Sequence, residues 1–145
     1  MNSHTEIRRV TYPDGTLLSE MPMVNGRAHG IFKKYHANGQ IETEMPVENG
    51  LQHGVTKRWA PDGRFLGEYS MEYGTGVVKD WDNNGHIISE ISFVRGILSG
   101  RQRSWDETGE PGATLYWIRG KRVSSKKYFE ECKSDAELPK YHHEK

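Results

Sequence analysis

The chain has 145 residues, 28% of them charged and only 34% in the hydrophobic set, with a mean hydropathy of −0.84. That composition excludes a compact globule with a deep core, while four Trp, seven Tyr and four Phe exclude a disordered chain. Twenty Lys and Arg balance twenty Asp and Glu, so net charge predicts neither a nucleic-acid nor a membrane partner.

In chain order, residues 1–8 read as a lead-in. The start, "MNSHTEIRRV", has no apolar signal region, and no apolar run approaches spanning length. A single cysteine, Cys132, leaves no intramolecular disulfide framework and fits a reducing compartment. The expectation is a cytoplasmic chain.

From residue 9 to 123 the sequence repeats itself. Gly15, Gly39, Gly63, Gly85 and Gly109 are spaced 24, 24, 22 and 24, and each is followed eleven residues on by another glycine: Gly26, Gly50, Gly74, Gly96 and Gly120. A third series, Gly30, Gly54, Gly76 and Gly100, precedes the next turn glycine by nine. Tyr35, Trp59, Trp81 or Trp105 sits four residues before the turn glycine, and Glu20, Glu44, Glu68 or Glu90 sits five after it. The one short spacing comes from "YGTG", which holds two steps where "NGRAHG" and "NGLQHG" hold four, so the deletion lies in a loop. A fixed period of this kind is the signature of a repeat architecture.

Each copy reads as two strands. "QIETEMPVE" alternates and ends at Asn-Gly; "GVTKRWA" follows and ends at Asp-Gly, the dipeptides that tight hairpins favour. The fold expected is mainly β: a single-layer twisted antiparallel meander of about five β-hairpin repeats, roughly ten strands and ~45 Å long at ~4.8 Å per strand. A three-residue loop at Ala37-Asn38-Gly39, with Gly39 left-handed, pairs Tyr35 with Ile41, Lys33 with Thr43 and Ile31 with Met45. The same rule pairs Trp59 with Phe65, Lys57 with Gly67 and Val55 with Tyr69, then Trp81 with Ile87, Lys79 with Ser89 and Val77 with Ile91. A two-residue loop would instead put Ile31 opposite Pro46.

Residues 124–140 break the pattern and read as a helical C-terminal cap hiding an edge strand. Ser124 or Ser125 is the N-cap candidate, and Ser134 with Glu137 forms a candidate capping box ended by Pro139. Residues 141–145 read as a tail.

No residue set demands chemistry. "GTGVVK" at 74–79 lacks the third glycine and following helix of a phosphate loop, and both its glycines belong to the repeat. His29 and His53 recur 24 apart, which spaces them along the ribbon and suits loop packing better than a metal site; His142-His143 has nothing to orient it. Cys132 has no evident His partner. The recurrent glutamates read as one rung per copy, facing solvent opposite Phe32, Thr56 and Val78 on the face away from the tryptophans. The expectation is no catalytic residue, no cofactor and no metal.

The partner-binding candidates are Lys33, Tyr35, Lys57, Trp59, Lys79, Trp81, Arg103 and Trp105. In the three-residue register the four cations share the aromatic face, opposite the small residues Thr43, Gly67, Ser89 and Ala113. A cation in a sealed core is costly, so this face is expected to be open. An open aromatic and basic strip suits an acidic protein surface, a lipid head group or a nucleic-acid backbone. A solvated row of lysine stems covering the sheet is the equal alternative.

The phrases "YHANGQIETEMPVENGLQHG" and "WAPDGRFLGEYSMEYGTG" resemble the MORN-type repeat, in the variant typical of bacterial YwqK-family antitoxin proteins. The resemblance runs over about residues 9–120; Thr114 in place of the Glu, the shortened "YGTG" and Tyr12 one position late depart from it. It implies a non-catalytic repeat scaffold, often the antitoxin or immunity partner of a toxin. More broadly, it implies protein assembly and phospholipid binding. The function expected is a non-enzymatic protein-binding chain that neutralises a toxin by contact. The alternatives are a self-associating scaffold, which would make a homo-oligomer, and a peripheral module for anionic lipid.

Overall fold

The computed structural model describes residues 3–141; of the tail read at 141–145 it includes Tyr141, while His142-His143 and the two residues after them lie outside. The chain is one antiparallel meander followed by one helix. In order come β1 (Thr5–Thr11), β2 (Leu17–Val24), β3 (Arg27–Ala28), β4 (Gly30–Tyr35), β5 (Ile41–Glu48), β6 (Leu51–Gln52) and β7 (Gly54–Trp59). Then follow β8 (Phe65–Glu72), β9 (Thr75–Trp81), β10 (Ile87–Val94), β11 (Ile97–Ser104), β12 (Leu115–Ile118), β13 (Lys121–Val123) and α1 (Ser125–Cys132). The strands lie side by side in sequence order, with the short β3 and β6 pairing back onto β2 and β5. The sheet takes in Thr5 to Arg8 of the segment read as a lead-in.

The turns have the expected loop. His36 N–H donates to Gln40 O at 2.8 Å and Gly39 N–H to His36 O at 2.9 Å, leaving three residues between the paired ends. Gly39 and Gly63 have φ of 87° and 89°, the left-handed region that a Cβ disfavours. Tyr35 therefore faces Ile41, Trp59 faces Phe65 and Trp81 faces Ile87, as the loop requires.

One pair further on, the register slips. Each copy carries a β-bulge three residues after its turn glycine, with the extra residue at Leu18, Glu42, Leu66 or Ile88. Beyond it Lys33 faces Glu44 and not Thr43, Lys57 faces Glu68 and not Gly67, and Lys79 faces Glu90 and not Ser89. Ile31 lies opposite Pro46, the pairing assigned above to a two-residue loop. A single inserted residue moves every later side chain of its strand to the other face, so the glutamates share the lysines' face.

Burial is asymmetric across the sheet. Ser19, Met23, Thr43, Val47, Thr56, Tyr69 and Met71 are buried, and register places all of them on the face away from the glutamates. No second layer covers them. A β-bulge bends its strand and raises the local twist, so bulges recurring in successive copies curve a single layer.

Both rows of turns are stitched together. At the Asn-Gly row, Gly50 N–H donates to Ala28 O, Gly74 N–H to Gln52 O and Gly96 N–H to Gly74 O. Beside them, His29 Nδ1 accepts from Asn49 N–H at 3.3 Å and His53 Nδ1 from Tyr73 N–H at 3.0 Å; Thr75 and Ser99 hydroxyls do the same for Arg95 and Arg119. The recurrent histidines thus serve loop packing.

At the other row, turn aspartates accept backbone N–H groups. Asp14, Asp62, Asp82 and Asp106 are all held below the ordinary carboxylate value, chiefly by hydrogen bonds from Thr16, Arg64, His86 and Thr108 respectively. A carboxylate depressed in the folded state contributes stability above its unfolded value, about 3.9, and loses it as pH falls through the folded value. We therefore expect acid unfolding below about pH 4 and a flatter acid limb when all four are replaced by Asn. An unchanged limb in that variant would show that these contacts are not what acid breaks.

Ser124 is the N-cap of α1, its hydroxyl accepting from Lys127 N–H at 3.1 Å. Ser134 and Glu137 form no capping box: Asp135 accepts from Glu137 N–H in a turn that never becomes a helix. Tyr128 and Leu138 pack onto Tyr116 of β12, with Ile118, Val123, Phe129, Cys132 and Tyr141 around them. This second cluster lies on the face of the sheet.

Candidate functional site

The face that the bulges build carries a row of alternating charge. By register Arg9 faces Glu20, Glu20 faces Lys33, Lys33 faces Glu44, Glu44 faces Lys57 and Lys57 faces Glu68. The β8–β9 register at Met71 and Gly76, continued, brings Glu68 level with Lys79. Lys79 then faces Glu90, and Glu90 faces Arg103. Five cations and four anions alternate across the sheet. At its ends the charges touch: Arg9 Nε is 3.7 Å from Glu20 and Arg103 donates to Glu90 Oε1 at 2.7 Å. Lys33, Lys57 and Lys79 make no ion pair within 4.0 Å among the described residues.

Two further rows flank it. Two residues along each strand, away from the turn glycine, stand Ile7, Pro22, Ile31, Pro46, Val55 and Val77, with Ser70 and Ser92 interrupting the apolar row on β8 and β10; Ile7, Ile31, Val55 and Val77 are exposed although apolar. Toward the turn glycines lie the aromatics. Tyr35 donates its hydroxyl to Glu20 at 3.0 Å, and burial with this glutamate raises its phenol above the ordinary value. Trp59 meets Phe65 edge-on at 5.8 Å, and Phe65 is about half exposed. Trp81 lies across Gly67, where a Cβ would come within 2.4 Å of its indole. Arg103 stacks on Trp105 at 5.4 Å.

The helical segment closes this face at one end. Tyr141 sits beside Val77, Glu90, Ser92, Arg101 and Arg103, with the Arg101 guanidinium 4.1 Å from its ring. From β1 to β9 the face stays open. The structure thus gathers Lys33, Tyr35, Lys57, Trp59 and Lys79 on one open surface, and sets Trp81, Arg103 and Trp105 toward its covered end. Sequence reasoning missed the glutamates as members of this face, since it had each lysine opposite a small residue. The spacing of Glu and Lys follows from the repeat period and carries no information about face; the bulge alone sets it.

The opposite face holds its own ion network. Arg58 bridges Glu42 at 3.3 Å and Asp80 at 3.1 Å, and Lys34 lies 3.5 Å from Glu42. Among the described residues no group of three or more His, Cys, Asp or Glu is placed to hold a metal ion, and no helix is long and apolar enough to cross a membrane.

The alternating row makes a prediction. Lys57→Glu with Lys79→Glu turns four unlike neighbours into like ones, giving a run of five acids from Glu44 to Glu90. At a few tenths of a kcal/mol per cross-strand pair, screened by solvent, the expected loss is about 1–2 kcal/mol. Adding Glu68→Lys to that variant should restore part of it, and salt should shrink the loss. Equal urea midpoints for wild type and double variant would show that the row is electrostatically idle.

A family model, the MORN repeat variant, matches residues 28–49 and 74–95. Each match covers one hairpin with its three-residue turn: β4, Asn38-Gly39 and β5 in the first, β9, Asn84-Gly85 and β10 in the second. No curated protein and no solved structure matches the chain.

Proposed function

We propose that this chain is a non-enzymatic protein-binding repeat scaffold, and that its partner is a bacterial toxin that it neutralises by direct contact. MORN repeats are present, which fits a binding scaffold. The observation that carries the reading is the continuous open face from β1 to β9. There exposed aliphatic residues, a row of charges and the aromatics Tyr35, Trp59 and Phe65 lie in parallel. Aromatic anchors within an apolar surround are what protein interfaces concentrate, and a row of charges beside them acts on the choice and orientation of the partner. The contact is assigned to Lys33, Tyr35, Lys57, Trp59 and Lys79, with Trp81, Arg103 and Trp105 as its margin. The toxin part of the reading rests on the likeness of the repeat phrase to YwqK-type antitoxins.

Because each lysine stands between glutamates, the face offers no uniformly positive strip. That favours a protein surface with charges of both signs over anionic lipid.

The test is co-expression with the product of the adjacent open reading frame. Growth inhibition by that product should be relieved by the wild-type chain and by Lys34→Ala on the opposite face, and not by Lys57→Ala with Lys79→Ala. Neutral replacements avoid the like-charge cost of glutamate. If growth stays inhibited with wild type and no complex forms, the antitoxin reading is wrong. If both variants protect equally, the contact is elsewhere on the molecule.

A further inference from the structure

All seven residues of β1 are exposed, and among the described residues nothing pairs its outer edge. An open edge offers a row of unpaired N–H and C=O groups to any passing strand. Charged side chains on such an edge ordinarily deter pairing, and β1 carries Glu6, Arg8 and Arg9. Their arrangement, however, is self-complementary about one point. Glu6 and Arg8 flank Ile7 on the same face, 3.4 Å apart, with side chains 44% and 63% exposed.

Consider β1 pairing antiparallel with β1 of a second copy. Opposed residues must point to the same face, so the dyad stands perpendicular to the sheet and passes through a residue position. Centred on Arg8 or Arg9, it sets arginine against arginine; centred on Glu6, it sets glutamate against glutamate. Centred on Ile7, it sets Ile7 against Ile7, Glu6 against Arg8 twice, and Thr5 against Arg9 twice. No like charges meet. Only the dyads at Ile7, Arg8 and Arg9 pair five or more residues of β1, and of these the charges leave the one at Ile7. The other edge, β13, is only Lys121-Arg122-Val123, too short to pair more than three residues about a dyad.

We infer that the chain forms a two-fold homodimer by edge-to-edge pairing of β1 about Ile7. Independently of the toxin reading, the dimer doubles the sheet to roughly 100 Å at ~4.8 Å per strand. It puts both open faces on the same side, with the two helices at the far ends. A partner with two-fold symmetry or an extended surface then meets two copies of the site at once.

Charge exchange tests this. The wild-type full-length chain should approach twice the monomer mass by sedimentation as concentration rises over about 1–200 µM, the range suited to a small interface. Glu6→Arg alone and Arg8→Glu alone should each remain monomeric. The double exchange, Glu6→Arg with Arg8→Glu, should dimerise again. Mixing the two single variants should give a heterodimer, because every facing pair is then opposite in sign. A wild type that stays monomeric overturns the inference, as do single variants that dimerise like wild type. A mass that climbs past two copies also overturns it, in favour of head-to-tail joining of β1 to β13.

A second measurement does not depend on charge. In a Cys132→Ser background, Ile7→Cys should cross-link to a covalent dimer under mild oxidation, since opposed antiparallel Cα atoms lie about 4.5–5.5 Å apart, within disulfide reach. Val10→Cys should not, because its twin lies about 20 Å away along the strand. Equal cross-linking of both would show random collision and no dyad at Ile7.

Discussion

Tyr128→Ala should be the most damaging single substitution in the chain, at about 3–5 kcal/mol, the range for removing a fully buried aromatic side chain. Tyr128 is completely buried, lies 5.2 Å from the Tyr116 ring and 5.6 Å edge-on from Phe129, and donates its hydroxyl to Pro139 O at 2.5 Å. It sits at the centre of the cluster that holds the helical segment on the sheet, touching Tyr116, Phe129 and Tyr141. The loss should be local. Each repeat contacts mainly its neighbours, so the helical circular dichroism should vanish at low urea while the sheet signal of the earlier copies persists. Tyr128→Phe should cost only about 1 kcal/mol, the worth of one hydrogen bond. Burial, with Tyr141 and Cys132 beside it, raises the Tyr128 phenol well above its ordinary value. An acid raised in the folded state contributes stability below its unfolded value, about 10, and loses it as pH climbs past that value. The helical signal should accordingly fail first in alkali. A Tyr128→Ala chain within about 1 kcal/mol of wild type would mean that the helix does not depend on this anchor.

Gly74→Ala should cost about 3 kcal/mol, a left-handed residue's strain of about 1–2 plus an overpacking term of similar size. At φ 80° its added Cβ would lie 2.5 Å from Gly96 N and 3.0 Å from Arg95 C, both backbone atoms. The stacked turns would have to part, and the bonds from Gly74 N–H to Gln52 O and from Gly96 N–H to Gly74 O would go with them. Gly26 is the matched control: φ is 79° and no atom lies within 4 Å of the added methyl. Gly26→Ala should therefore show the backbone strain alone, about 1 kcal/mol. The difference between the two urea midpoints isolates the turn-to-turn contact. Equal losses would show that the stacking of the turns is not tight.

The two substitutions sit on opposite sides of what could be read from the sequence. Gly74 announced itself through its place in a series of five glycines, but only as a turn; the backbone of the next turn pressing on it comes from stacking of copies. Tyr128 was visible as an apolar position on a short helix. That the helix lies on the face of β12, next to the open end of a charge row, depended on Tyr116 and Tyr141 meeting it from distant parts of the chain. The histidines were legible as loop residues because they recur without convergent partners. Their acceptor role toward Asn49 and Tyr73, twenty residues on, needed the copies to be laid side by side.

Strand content, the meander, the three-residue turns and the terminal helix were determined by the sequence alone, because each depends on local spelling: positive φ at glycine, alternation along a strand, a serine before a helix. Which face each side chain takes was decided only in the tertiary structure. The bulge at Leu18, Glu42, Leu66 and Ile88 inserts one residue per copy, and its spelling does not mark it, since an aliphatic residue in three copies and Glu in the fourth are what any strand position carries. With a period of two, that single residue carries every glutamate to the lysines' side and turns an expected basic strip into an alternating row.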